Sequence, residues 1–206
     1  MNSNTIGRNN VTFMLILTAM FAAMLAIASW ISVPLPFTPV PVNLATLAVT
    51  LAGALLGWRY GTISVLIYIL LGAVGVPVFA GFTGGLGHIA GPTGGYIIGY
   101  LSSALICGLI IERFYDNDRT TFSSDKSSGA YGSEHEGRWW VIAAAALLGT
   151  ASCYAIGTIW FMILTGNNLA TSMTMCVIPF LPGDAFKIAA AVILIPVMKK
   201  TLARFM

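Results

Sequence analysis

Apolar residues run along this chain in long blocks separated by short breaks bearing glycine, proline or charge. That is the pattern of helices that cross a bilayer, not of alternating strands or amphipathic surface helices. The blocks predict spans over residues 13–33, 42–56, 62–76, 93–111, 139–164 and 183–198. A crossing needs about 20 residues, and the second and third blocks are short. They are divided by Gly57-Trp58-Arg59-Tyr60-Gly61, whose arginine and two aromatics suit a membrane interface. Joined, the two blocks would be too long for one crossing, so a helical hairpin is predicted. The expected fold is an all-α integral membrane protein of six transmembrane helices, a single transmembrane domain over residues 1–206. Residues 112–138 form a polar linker rich in Ser, Asp and Gly, with little apolar periodicity. The first block carries Ala26-Ile27-Ala28, which resembles the cleavage site of a leader peptide. Its apolar run is too long, and its basic flank of Arg8 alone too thin, for that reading.

Composition agrees: hydrophobic residues make up 57% of the chain and charged ones 8%, where a soluble domain carries about 25% charged residues. The net charge of +3 implies no nucleic-acid partner. Cys107, Cys153 and Cys176 are odd in number and scattered through apolar segments, which argues for buried thiols and against a disulfide framework or a metal site. Charge also orients the chain, because Lys and Arg near short loops are retained on the cytoplasmic side. With six spans, Arg8, Arg59, Arg113, Arg119, Lys126, Arg138, Lys199, Lys200 and Arg204 all fall on one side, which places both termini in the cytoplasm. Loops 34–41, 77–92 and 165–182 on the other side contain no charged residue.

One acid and one base escape that distribution, Asp184 and Lys187, where the sixth span begins. Three apart on a helix, they share a face. Ionisable groups at membrane depth are costly unless paired or facing a polar cavity, so they mark sites. The alternative is that Asp184 caps the helix while Lys187 snorkels to the interface. A second unusual segment is 78–96, where Phe79-Ala80-Gly81-Phe82-Thr83-Gly84-Gly85 leads through His88 into Gly91-Pro92-Thr93-Gly94-Gly95-Tyr96. So many glycines bring backbone amides close to anything bound. Within it, residues 85–90 fit a dinucleotide-binding pattern but lack the preceding strand and the acid about 20 residues on. Gly91, Gly95 and Gly99 also fit GxxxG helix packing. His88, the only basic side chain assigned to the uncharged outer loops, reads more readily as a structural histidine than as a ligand.

In this order, Pro36-Phe37-Thr38-Pro39-Val40-Pro41-Val42, Leu51-Ala52-Gly53-Ala54-Leu55-Leu56-Gly57, Gly75-Val76-Pro77-Val78-Phe79-Ala80-Gly81, Gly91-Pro92-Thr93-Gly94-Gly95-Tyr96 and Pro182-Gly183-Asp184-Ala185-Phe186-Lys187 resemble the BioY family. These are the biotin-binding substrate-capture (S) components of energy-coupling factor (ECF) transporters. The resemblance runs from about residue 13 to 200, excluding the polar linker. One departure is Ala45, where the family pattern Pro-x-Pro-x-Thr-x-Gln calls for glutamine, with threonine at the position of Asn43. An outer polar contact is then expected to move onto Asn43.

The resemblance implies high-affinity biotin capture and uptake across the cytoplasmic membrane. Biotin is then a transported ligand and not a cofactor, and the partners are a coupling module of one membrane subunit and two ATPases. The chain has no Walker A sequence of its own, so energy has to come from such partners unless transport is unassisted. Ala19, Ala22, Ala23 and Ala26 form overlapping AxxxA pairs on the first helix, the one that meets the coupling subunit in the family. Biotin's rings and alkyl tail suit an aromatic-lined cavity, to which Phe37, Phe79, Phe82, Tyr96 and Trp160 can contribute. Its ureido edge offers two N–H donors and one acceptor. Either Asp184 accepts the ureido N–H groups while Lys187 donates to its oxygen, or Lys187 pairs with the carboxylate. The candidate substrate-binding set is Asp184, Lys187, Tyr96, Gly94, Gly95, Phe79, Phe82, His88, Phe37 and Asn43. Two rivals stand beside it: the same architecture serving thiamin or riboflavin, and an intramembrane enzyme using Asp184, Lys187 and His88. Against the enzyme, the chain lacks HExxH, a Gly-x-Ser-x-Gly elbow and paired intramembrane carboxylates.

Overall fold

The computed structural model describes residues 3–34, 36, 38–116 and 139–202, and the side chains of all of these except 3–10, 115 and 116. Most of the polar linker, from 117 to 138, and Phe37 therefore lie outside the described residues. The fold is helical, with α1 (Ser3–Trp30), α2 (Ala45–Ala73), a single turn α3 (Leu86–Ile89), α4 (Gly94–Ile111), α5 (Trp139–Thr165), α6 (Leu169–Cys176) and α7 (Leu181–Leu202). Among the described residues, five segments are long and apolar enough to cross a membrane: Val11–Trp30, Ala45–Ala73, Gly94–Phe114, Trp139–Thr165 and Leu169–Leu202. The protein is a multi-pass membrane protein with an all-helical frame. A small departure from pure helix is a two-residue antiparallel ladder, β1 (Ser32–Val33) with β2 (Val42–Asn43), which pins the proline-rich 34–41 connection.

The predicted boundary between the second and third blocks falls inside α2. Gly57 leaves helical geometry at φ 76°, ψ 176°, a left-handed value that glycine adopts without steric cost. Four residues on, a β-carbon at Gly61 would lie 2.7 Å from the Ala52 carbonyl oxygen and 2.8 Å from the Gly53 Cα. A straight helix would hold residues nine apart about 13 Å from each other, so the chain turns back on itself at Gly57. At the same end, the Arg59 guanidinium sits 5.0 Å from the Trp58 ring centroid. The sixth predicted span begins slightly early, at Leu181, and the loop before it contains the helix α6, capped by Asn168, whose side chain accepts from the Thr171 N–H at 2.9 Å.

Small residues set the helix spacing. A β-carbon would meet the Ala104 carbonyl oxygen at 2.5 Å from Gly53, and Cys153 at 3.0 Å from Gly99. Close backbone approach of this kind is how membrane helices gain packing energy, since lipid provides no hydrophobic drive between them. The Ser102 and Ser152 hydroxyls join α4 to α5 at 3.1 Å. Buried apolar residues fall in two clusters. One contains Leu51, Ile111, Ile142 and Ile195. The other, with Tyr68, Phe79, Tyr96, Tyr100 and Phe180, is aromatic and surrounds the cavity described next.

Candidate functional site

The cavity has a volume of about 470 Å³ and is walled by the first turns of α2 and α7, the middle of α5, the second half of α2, the start of α4 and the 79–93 segment. Its inner wall is polar. Asp184 and Lys187 lie in the first turns of α7 and pair at 2.9 Å, with their side chains 7% and 11% exposed. The Tyr154 hydroxyl donates to the other Asp184 oxygen, Oδ2. The Lys187 ammonium also donates to the Thr46 hydroxyl at 2.9 Å. Thr150, Cys153 and Tyr154 reach the cavity together because positions i, i+3 and i+4 of a helix share a face. Asp184 is thus directed at partners across the bundle, as the paired-site reading of the sequence requires, and Lys187 points inward to it.

The outer wall is aromatic. Phe79 is buried, packed edge-on to Tyr68 and stacked on His88, each at 5.5 Å between ring centroids. Phe82 is 64% exposed, adopts a left-handed φ of 58° and stacks on Trp30 at 5.0 Å. The Trp30 indole N–H donates to the Pro77 carbonyl at 2.8 Å, tying the end of α1 to this segment. His88 lines the cavity with Nε2 3.4 Å from the Thr83 hydroxyl and 3.3 Å from the Thr93 hydroxyl. Partial burial holds its imidazole below the usual histidine range, because desolvation disfavours the charged form.

Other residues singled out in the sequence are distributed unevenly. Tyr96 lines the cavity, its hydroxyl 3.2 Å from that of Thr158. Asn43 also lines it and accepts the Ala45 N–H at 3.1 Å, while Ala45 itself is fully buried outside the lining. Polar chemistry at this edge therefore comes from Asn43 and Thr46. Gly94 and Gly95 pack instead: a β-carbon would lie 1.6 Å from the Ile89 carbonyl oxygen at Gly94 and 2.2 Å from the Trp160 Cβ at Gly95. Trp160 donates to the Gly91 carbonyl at 3.0 Å and supports the loop from behind. On α1, Ala19 and Ala23 are exposed, whereas Ala22 and Ala26 are buried against the chain's own core. Sequence reasoning missed Tyr154, Thr46, Trp30, Tyr68 and Tyr100. Only Tyr154 carried a signal, the polar run Thr150-Ala151-Ser152-Cys153-Tyr154 in mid-span.

A helical bundle with an aromatic-lined cavity, bounded at its inner wall by a buried ion pair, defines a membrane protein that takes up a small molecule with an apolar body and polar ends. The chain belongs to the BioY family, whose model matches residues 2–204. It is 38% identical over 178 residues to a probable biotin transporter BioY of Pyrococcus horikoshii, covering 86% of this chain and 91% of that one. It is 33% identical over 186 residues to a biotin transporter BioY of Thermotoga maritima, covering 90% and 95%. The crystal structure at 2.1 Å of the S-component for biotin from an ECF-type ABC transporter is similar, with a TM-score of 0.75 at 27% identity, covering 97% of this chain and 95% of that one. The relatives named here are transporters, not enzymes.

Proposed function

We propose that this chain captures biotin as the substrate-binding S component of an ECF-type transporter of the cytoplasmic membrane. The observation that carries this reading is the hydrogen-bond balance at the inner wall. Lys187 has three donors, and Thr46 and Asp184 take two. Asp184 has about four lone-pair positions, and Lys187 and Tyr154 occupy two. One donor and two acceptors remain, the complement of a ureido group with one carbonyl and two N–H groups. The pair is neutral overall, which suits a neutral ureido ring better than a carboxylate, since an anion there would face Asp184. This favours the first of the two poses left open by the sequence. The aromatic walls then cover the fused rings.

Six crossings support this role, with α2 contributing two on either side of Gly57, and both termini on the cytoplasmic side with Arg59, Lys199 and Lys200. Ala19 and Ala23, exposed one turn apart on α1, offer a strip for the coupling subunit, which acts with two ATPases. The deciding experiment is equilibrium binding of labelled biotin to the detergent-purified chain, with thiamin and riboflavin as competitors. Saturable binding displaced by neither vitamin is the expected result. Absence of biotin binding by a folded protein refutes the reading. Ala23→Leu is expected to reduce copurification of the coupling subunit while leaving that binding intact.

A further inference from the structure

We infer that the mouth end of the bundle is seated in the membrane. The short helix α6 lies in the boundary between lipid headgroups and acyl chains, and Phe82 and Leu86 press into the same layer beside the cavity opening. The partner of this surface is phospholipid. Such a seat follows from the multi-pass character of the chain and is independent of the ligand.

The first observation is the way α6 is turned. Leu169, Ala170, Met173 and Thr174 are its exposed side, with Leu169 57% and Met173 42% exposed. Ser172 and Cys176 are fully buried on the side toward the bundle, and Thr171 is half-buried beside them. A helix that borders water presents the reverse order, hydroxyls outward and leucine inward. The hydroxyls of α6 also find backbone partners without water. Thr174 has the Ala170 and Thr171 carbonyls at 3.0 and 2.8 Å, and Ser172 donates to the Asn168 carbonyl at 3.0 Å. Internal satisfaction of polar groups is what lipid requires.

The second is length. The 27 residues of α5 span about 40 Å at 1.5 Å per residue, close to the full thickness of a bilayer with its headgroups. After a break at Gly166, where φ is 70°, α6 begins at Leu169. It therefore starts at headgroup depth, the layer in which short helices with one apolar face are held. Exposed Ile163 at the end of α5 and exposed Leu181 at the start of α7 continue its apolar face into the two spans.

The third is the opposite flank of the mouth. Leu86 is 70% exposed, and the preceding Gly85 N–H donates to the Gly72 carbonyl at 2.6 Å, which holds the 82–86 tip on the end of α2. Phe82, stacked on Trp30, and Val74 are exposed at the same place and extend the exposed apolar side of α2 at Leu70 and Leu71. Apolar side chains gathered in this way mark an interaction surface.

The fourth is charge, which chooses lipid as the partner. Loops 34–41, 77–92 and 165–182 hold no Asp, Glu, Lys or Arg, whereas Arg59, Lys199 and Lys200 gather at the other end. Charged side chains at acyl depth are costly, and these loops carry none to oppose the seat. Phe82 also lines the cavity, so the mouth opens at headgroup level.

The test attaches a nitroxide to Leu86→Cys, Leu169→Cys, Met173→Cys and Lys200→Cys, one at a time, in the full chain reconstituted in phosphatidylcholine–phosphatidylglycerol vesicles. The three native cysteines are buried, so the parent is the labelling blank. Collision with oxygen, which concentrates among acyl chains, is compared with collision with a water-soluble nickel chelate. The oxygen-to-nickel ratio is expected to be several-fold higher at positions 86, 169 and 173 than at position 200. A ratio at 169 and 173 no higher than at 200 overturns the seat, because those side chains then face water. Weak collision with both reagents overturns it too, in favour of a second copy or another protein covering α6. The two α6 substitutions alter exposed side chains and leave the core intact, so they decide the matter if Leu86→Cys does not fold.

Discussion

The two ends of the cavity are built on opposite principles. The inner end stands on three long helices, and its groups are joined by charge-assisted bonds of 2.9 Å between Lys187, Asp184 and Thr46. The outer end stands on a glycine-rich connection with left-handed backbone at Gly81, Phe82 and Gly85, and its side-chain bonds around His88 are 3.3–3.4 Å long. Helices fix geometry and loops adapt it. On the proposed pose, a fixed polar template suits the rigid ureido ring, and an adaptable cover suits a ligand that has to enter and leave. The contrast teaches where each substitution should register: inner changes in affinity, outer changes in the rate of release.

The largest effect is expected at the inner pair. Asp184→Asn or Lys187→Ala leaves a buried charge without its mate, a loss of about 3 to 5 kcal/mol in comparable pairs. Biotin binding should weaken by at least about tenfold in equilibrium titrations. The double variant Asp184→Leu with Lys187→Met removes both charges. It should regain thermal stability relative to the single variants and still bind no biotin. If it binds biotin, the inner template is not the site.

Next in size is Tyr154→Phe, which strips one donor from Asp184 and changes no packing. An unsatisfied buried acceptor costs about 1 to 3 kcal/mol, so affinity should fall by roughly tenfold, seen in the dissociation constant. An unchanged constant would place the Tyr154 bond outside the template. Trp30→Ala probes the other end by removing the Phe82 stack and the bond to Pro77. An aromatic pair contributes about 0.5 to 1.5 kcal/mol. Stopped-flow dissociation of biotin should quicken several-fold. If the dissociation constant rises through slower association instead, the cover is not a latch.

The smallest effect concerns pH and separates the ends by charge chemistry. The His88 imidazole titrates below its ordinary value near 6.5 because it is partly buried. The unfolded chain therefore binds a proton at higher pH than the folded one. Ligand-free stability is unaffected well above pH 6.5, falls as pH drops through that value, and levels off below the folded pKa. Thermal unfolding between pH 8 and 5 should show this slope in the parent and a shallower one in His88→Gln. Equal slopes would mean that His88 is solvated like a free histidine.

Much of this was legible before the chain folded. Block lengths set the helical frame because a bilayer dictates the length of what crosses it. The chain reversal at Gly57 was visible as a glycine and an arginine between two short blocks, and a left-handed φ there needs glycine. Asp184 and Lys187 stood out because membrane depth makes ionisable residues expensive, so each one needs a reason. Family membership was equally readable, since its motifs keep their order along the chain.

What only the tertiary structure decided is which other residues meet that pair. Tyr154 and Thr46 lie 30 and 141 positions from the residues they bond, Asp184 and Lys187 respectively, and no local period connects them. The Ala19, Ala22, Ala23 and Ala26 series looked uniform in sequence, yet rotation of α1 against α2 exposes two and buries two. Gly94 and Gly95 stood in the sequence as candidate binding positions, with Gly95 also in GxxxG pairs, and the structure packs them against Ile89 and Trp160. Local sequence fixes what each segment can bury. Only the way helices press together determines which polar atoms share one cavity, because that depends on distances between residues far apart in the chain.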